Sequence, residues 1–196
     1  MKKRSYCEQC QLPMRTCVCS AVKPQHCLTQ IEILQHPQES KAAKNTAFLL
    51  KLSFPQQVRL WLGEQAHDFA ELREELRKEQ LKPAQAQPWA VLYPSEVAEP
   101  ISHIPSTAQG HRLIVIDATW RKAYKMWQLN QWLHQLPQYK LEGIKGRYAR
   151  ASSVKHALST LECVQHTLTV CEPKLDTQAL QTLFDLRQSH FKQAPK

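Results

Sequence analysis

Leu113-Ile114-Val115-Ile116-Asp117-Ala118-Thr119-Trp120-Arg121-Lys122-Ala123-Tyr124-Lys125-Met126-Trp127 is the stretch on which the fold turns. Four large aliphatic residues, a run of strand length, stop at an acidic one, and a basic, aromatic run at helical spacing follows. In open parallel sheets ligands bind beyond the carboxyl ends of the strands, so Asp117 stands as the candidate catalytic residue. An Asp or Thr just before a helix is also a common N-cap, and that explanation stays open for Thr119. Arg121 and Lys122 fall in the first helical turn, where the macrodipole disfavours cations. Their presence suggests a bound anion, with phosphate the natural candidate. Trp120, Ala123, Tyr124 and Trp127 are expected to face the core, with Arg121, Lys122 and Lys125 on another side.

On either side of this stretch the same alternation continues. Strands are expected at 28–35, 58–62, 89–93 and around 139–141, and helices from Pro37 to about Leu52, from Asp68, and at about 160–170 and 177–191. Asp68-Phe69-Ala70-Glu71 has capping-box spacing, and Phe69, Leu72 and Leu76 form a buried stripe. The proline-rich stretch 94–105 reads as a loop. Strands alternating with helices predict an α/β domain over 28–196, a mainly parallel sheet flanked by helices.

Residues 1–27 differ in composition and read as a small cysteine-rich module. Cys7-x-x-Cys10 and Cys17-x-Cys19 are two close pairs joined by a short gap. They can set four thiolates at the corners of a tetrahedron, the geometry that structural Zn²⁺ prefers. A site closed by four protein ligands leaves no open position, so no catalysis is assigned to it. Its net charge of −2 would be offset by Lys2, Lys3, Arg4, Arg15 and Lys23. Cys27, Cys163 and Cys171 read as small hydrophobes.

The chain has 196 residues and a net charge of +9. Its four glycines cannot assemble a G-x-G-x-x-G fingerprint or a P-loop, which sets aside the usual nucleotide cradles. No apolar run reaches the length of a membrane span, and no signal peptide is expected, so the expectation is a cytoplasmic protein without membrane partners. The positive charge collects in two segments, 1–27 and 121–155, which favours a polyanionic partner over a generally solubilising surface. The second segment contains Lys145-Gly146-Arg147-Tyr148-Ala149-Arg150, a composition suited to RNA backbone contact with one stacked base. A solvated loop explains it equally well. Ser159-Thr160-Leu161-Glu162 has the spacing of a capping box, which is a sufficient structural explanation.

Taken in order, these segments resemble the DTW-domain proteins. The matching pieces are Cys7, Cys10, Cys17 and Cys19; His36-Pro37-x-Glu39 with Asn45-Thr46-Ala47; Leu92-Tyr93-Pro94; Asp117-x-Thr119-Trp120; and Tyr148-x-x-Arg150 with Ser159-Thr160-x-Glu162. Ala151 departs from the pattern, since another basic residue is expected there. The resemblance implies a SPOUT-like fold with a trefoil knot. It implies a tRNA-uridine aminocarboxypropyltransferase that moves the 3-amino-3-carboxypropyl group of S-adenosylmethionine (SAM) to N3 of a uridine, the variable loop of tRNA being the expected target. Methylthioadenosine is the by-product. SAM would then be the co-substrate, held by Leu92, Tyr93, Pro94, Asp117, Thr119, Trp120, Ser159 and Thr160. Arg121, Lys122, Lys125, Lys145, Arg147, Tyr148 and Arg150 are the expected RNA contacts, and Asp117 is either the general base or a ligand for the SAM amino group. No obligate protein partner is expected. The rival readings are a SPOUT RNA methyltransferase and a non-catalytic zinc-ribbon RNA-binding protein.

Overall fold

The computed structural model describes residues 5–42, 45–82, 86–144 and 158–192. The strands are β1 (Gln30–Gln35), β2 (Val58–Leu62), β3 (Trp89–Leu92), β4 (Glu99–Pro100), β5 (Arg112–Asp117) and β6 (Gln138–Lys140). The helices are α1 (Pro37–Ser40), α2 (Ala47–Ser53), α3 (Ala70–Gln80), α4 (Trp120–Leu129), α5 (Thr160–Cys171) and α6 (Gln178–Lys192). Every strand pairing is parallel, in the order β2-β1-β5-β3-β6-β4. The α/β sheet read from the alternation is therefore present, and β1 and β5 are its central pair, with Gln35 opposite Asp117.

Side chains alternate across a strand, and here the two faces have different coverings. Ile31, Ile33, Leu113 and Val115 belong to one core with α2, α5 and α6. Leu34, Val91 and Ile114 belong to the other, with Phe69, Leu72 and Leu76 at and in α3 and Ala123, Met126 and Trp127 on α4. The cysteine-rich segment is packed on the first core: Cys10, Val18 and Cys27 are buried among its residues. Gly110 leads into β5 at a φ of +72°, and a Cβ there would lie 2.5 Å from the Leu28 carbonyl carbon. Only glycine fits both conditions.

Four local expectations change. The helix expected from Pro37 to Leu52 is two helices, α1 and α2. Asn45 Oδ1 accepts from the Ala47 amide at 2.8 Å, a turn that starts α2 afresh. Asp68 does not cap α3 from outside but is the third residue of a 3₁₀ turn, Ala66–Phe69, whose capping box it shares with Gln65. The proline-rich loop carries the short edge strand β4. On α4 the core face is Ala123, Met126 and Trp127, whereas Trp120 and Tyr124 are 43% and 61% exposed. Ala123 and Trp127 are buried as expected, but Met126 rather than Trp120 and Tyr124 completes the stripe that meets the sheet.

Candidate active site

At the carboxyl end of the sheet, Asp117 is buried between β1 and α5. Its Oδ2 accepts from Gln35 Nε2 at 2.7 Å, and its Oδ1 accepts from Thr160 Oγ1 at 2.5 Å. The His36 amide donates to its backbone carbonyl at 3.0 Å. Period-2 alternation explains the meeting: Gln35 and Asp117 sit opposite each other in register and point to the face that α5 covers. Thr160 arrives there because α5 begins with an intact capping box. The Glu162 amide donates to Ser159 Oγ at 3.2 Å, while the Ser159 amide donates to Glu162 Oε2 at 2.8 Å. The capping box foreseen from spacing is thus real, and it also delivers Thr160 to the carboxylate.

Beside this carboxylate lies a pocket of about 240 Å³. Leu92, Tyr93 and Pro94 line it from the end of β3, Ala118, Trp120 and Ala123 from the start of α4, and Ser159, Thr160 and Cys163 from α5. Tyr139, Lys140 and Leu141 add the β6 side. Tyr93 is stacked on Trp127 with ring centroids 4.3 Å apart, and Trp127 on His134 at 4.2 Å, so that wall is braced from behind. Burial raises the Tyr93 phenol above its ordinary range and pushes the Cys163 thiol up to about 12, so both stay protonated at neutral pH. Of the residues expected around the donor molecule, Leu92, Tyr93, Pro94, Trp120, Ser159 and Thr160 share this pocket, and Asp117 reaches it through Thr160. Thr119 is the half-buried N-cap of α4 and makes no side-chain capping bond.

The cationic start of α4 has a local explanation that sequence spacing did not contain. Lys122 Nζ lies 3.0 Å from Glu39 Oε1, and Lys125 Nζ lies 3.0 Å from Glu64 Oε1. Glu64 is also 3.6 Å from His36 Nε2, and His36 Nδ1 accepts from the Gln38 amide to cap α1. The His36-Pro37-x-Glu39 motif therefore places a carboxylate against the first turn of α4, so no bound anion is needed to balance Lys122. Arg121 makes no ion pair among the described residues. Lys145, Arg147, Tyr148 and Arg150, expected to contact RNA, lie outside the described residues.

Sequence reading missed the polar residues Gln35 and Glu64, and it did not place Ala118, Tyr139, Lys140, Leu141 or Cys163 in the pocket they line. Gln35 had only one signal, its place at the end of a strand flanking the one that ends in Asp117. Glu64 had none, being 61 residues from the lysine it binds.

The four cysteines of the N-terminal segment converge, all Sγ atoms lying within 4.8 Å of one another. Cys7 Sγ is 3.5 Å from Cys19 Sγ, and Cys10 Sγ is 3.8 Å from Cys17 Sγ. Zn–S bonds of about 2.3 Å at tetrahedral angles put sulfurs about 3.8 Å apart, so the set fits a zinc ion. Amides of Cys10 and Gln9 aimed at Cys7 pull its thiol down to about 6, while burial and the neighbouring thiols push Cys19 up to about 12. Four clustered thiols cannot all ionise without a cation among them, which is the demand a metal meets. Among the described residues, Arg15 and Lys23 of the offsetting cations are present, whereas Lys2, Lys3 and Arg4 lie outside them.

The DTW domain matches residues 4–192, and the chain belongs to this family. It is 32% identical over 180 residues to tRNA-uridine aminocarboxypropyltransferase 2 of Drosophila melanogaster, covering 88% of this chain and 68% of that protein. The Macaca fascicularis protein of the same name is 28% identical over 178 residues, covering 87% of this chain and 58% of the relative. Against its Mus musculus counterpart the figures are 27% over 179 residues, 87% and 58%. The chain thus spans a little over half the length of these mammalian relatives. No solved structure matches it. None of the helices among the described residues is long and apolar enough to cross a membrane.

Proposed function

We propose that the protein transfers the 3-amino-3-carboxypropyl group of SAM to N3 of a tRNA uridine, with the variable loop as the target. The single observation that carries this reading is Asp117, held by Gln35 and Thr160 at the carboxyl end of the parallel sheet, beside a largely apolar pocket. The names of the relatives support the reaction, and the family resemblance supports a SPOUT-like trefoil knot around the donor and a cytoplasmic location. In the step itself, the lone pair of N3 forms a bond to the γ-carbon of the methionine chain. The carbon–sulfur bond breaks, its electron pair returns to sulfur, and neutral methylthioadenosine leaves. The N3 proton must go to a base. Gln35 and Thr160 orient the Asp117 carboxyl group at the edge of the pocket. That carboxylate takes the uridine proton, or receives the SAM ammonium group in the competing role. Catalysis in such a transfer is chiefly alignment of N3 behind one of three electrophilic carbons.

The deciding experiment incubates the protein with SAM and unmodified tRNA, followed by mass spectrometry of the small molecules and the nucleosides. Methylthioadenosine together with an aminocarboxypropyl-uridine is the expected result. S-adenosylhomocysteine would make the protein a methyltransferase, and absence of SAM binding would leave a zinc-ribbon RNA-binding protein. Asp117→Asn separates the two roles: a base loses turnover with SAM affinity kept, whereas an ammonium ligand loses SAM affinity as well.

A further inference from the structure

On α4 two aromatic rings face outward one helical turn apart. Trp120 is 43% exposed and Tyr124 61% exposed, while Ala123, Met126 and Trp127 hold the helix to the sheet. An amphipathic helix normally gives its aromatic residues to the core, and single exposed ones need no explanation. Here two neighbours share one face, and Trp120 is also a wall of the pocket beside Asp117. Arg121, exposed and without an ion pair among the described residues, lies next to them in the first turn. The chain carries a net charge of +9. We infer that Trp120 and Tyr124 form a stacking platform for two unpaired RNA bases at the mouth of the pocket, with Arg121 answering the intervening phosphate. This deepens the transfer reading above and rests on it for the identity of the nucleic acid.

The spacing selects single-stranded RNA. Residues four apart on a helix are offset by about 6 Å along its axis. Successive bases in a stacked strand rise by only about 3.4 Å. The two rings therefore suit bases that have left each other's stack, as in a loop, and ring faces accept bases of any sequence. Charge points the same way: Lys122 and Lys125 are already answered by Glu39 and Glu64, so aromatic contact rather than phosphate attraction dominates this face.

The test measures binding of the full, metal-loaded chain to a fluorescent oligouridylate of about ten nucleotides, with a short RNA duplex in parallel. Tyr124→Ala is expected to weaken oligouridylate binding roughly 5- to 160-fold, the range for loss of one stacked base. It should leave duplex binding and SAM binding within about two-fold, and Tyr124→Phe should recover most of the loss because the ring is what stacks. Leu81→Ala, which trims an exposed apolar residue at the far end of α3, serves as the control. Oligouridylate binding unchanged in Tyr124→Ala would overturn the platform, as would an equal loss for duplex. Self-association at micromolar concentration that Tyr124→Ala abolishes would also overturn it, since the face would then bury against a second copy. The two readings fail separately. Methylthioadenosine release with Tyr124→Ala binding unaltered would refute the platform alone. Loss of oligouridylate binding without any methylthioadenosine in the wild type would refute the transfer alone.

Discussion

The central strands β1 and β5 bury polar groups at both ends, and the two ends are built on different terms. Toward the amino end, Glu32 is almost wholly buried and accepts from Arg59, Arg112 and Trp61. Arg112 also pairs with Glu75 and Glu79 of α3 and lies over the Trp89 ring, 4.4 Å from its centroid. Charge there is met by fixed, opposite, multidentate charge. At the carboxyl end, a carboxylate on the opposite face of the same strands is held by an amide and a hydroxyl, next to open space. A larger cleft of about 560 Å³ sits at the amino ends of β3 and β5, yet its Glu79 is spent on Arg112 and on the indole N–H of Trp89. Under the proposed function, the larger cleft is therefore not the one that holds the chemistry. What distinguishes the site is a buried carboxyl group oriented by Gln35 and Thr160 beside an open pocket.

The contrast is broken most sharply by Asp117→Ala. On the proposed transfer, activity should fall by about 10²- to 10⁴-fold, read from methylthioadenosine release. Tm should stay within about 3 °C, because the desolvation cost of the buried carboxyl group goes together with its hydrogen bonds. Arg112→Met should do the reverse. Withdrawing one partner from a buried ion network costs about 3 kcal/mol, or roughly 6–12 °C in Tm for a chain of this size. Turnover per folded molecule at 20 °C should remain near wild type. If Arg112→Met abolished turnover at full folding, the two ends would not be separate devices.

Gln35→Leu is a finer probe, since it leaves Asp117 in place but takes away one donor. Losing a hydrogen bond to a buried charged group is worth about 1.5–3 kcal/mol, so turnover should drop by roughly 10- to 100-fold. A purely structural Gln35 would lower Tm and leave kcat intact. The smallest effect is acid sensitivity at the amino end. Arg59 and then Arg112 hold the Glu75 carboxyl below its ordinary range, overcoming burial. A depressed folded-state pKa contributes stability that is complete above the unfolded value of about 4.3 and is lost as pH falls through the folded one. Glu75→Gln should therefore narrow the gap in Tm between pH 6 and pH 3, and an unchanged gap would show that Glu75 does not carry it.

Much of this was legible in advance, for local reasons. A strand such as β5 is announced by four apolar residues and an abrupt acidic stop, and β2 occupies the very residues read for it. The cysteine pairs declare their chemistry through spacing alone, and the Ser159 capping box needs only four residues. Failures fall where a residue's partner is remote. Lys122 and Arg121 look alike in sequence, but one meets Glu39, 83 positions away, and the other faces outward. Glu32 and Arg112 are 80 positions apart and meet because parallel pairing of β1 and β5 sets their side chains on one face.

Periodicity put Trp120, Ala123, Tyr124 and Trp127 on one side of α4, whereas the structure buries Ala123 and Trp127 with Met126 and leaves Trp120 and Tyr124 outside. Which grouping meets the sheet depends on the shape of the surface it must fill, and that surface is assembled from β3, β5 and α3. Likewise the amino acids alone establish an α/β chain with a cysteine cluster and an aspartate at a strand end. Register across β1 and β5, and the docking of α5 over them, turned that aspartate into an oriented carboxylate held by Gln35 and Thr160. Contacts between segments distant along the chain exist only once the sheet has aligned them, because no local preference encodes a neighbour 82 or 43 residues away.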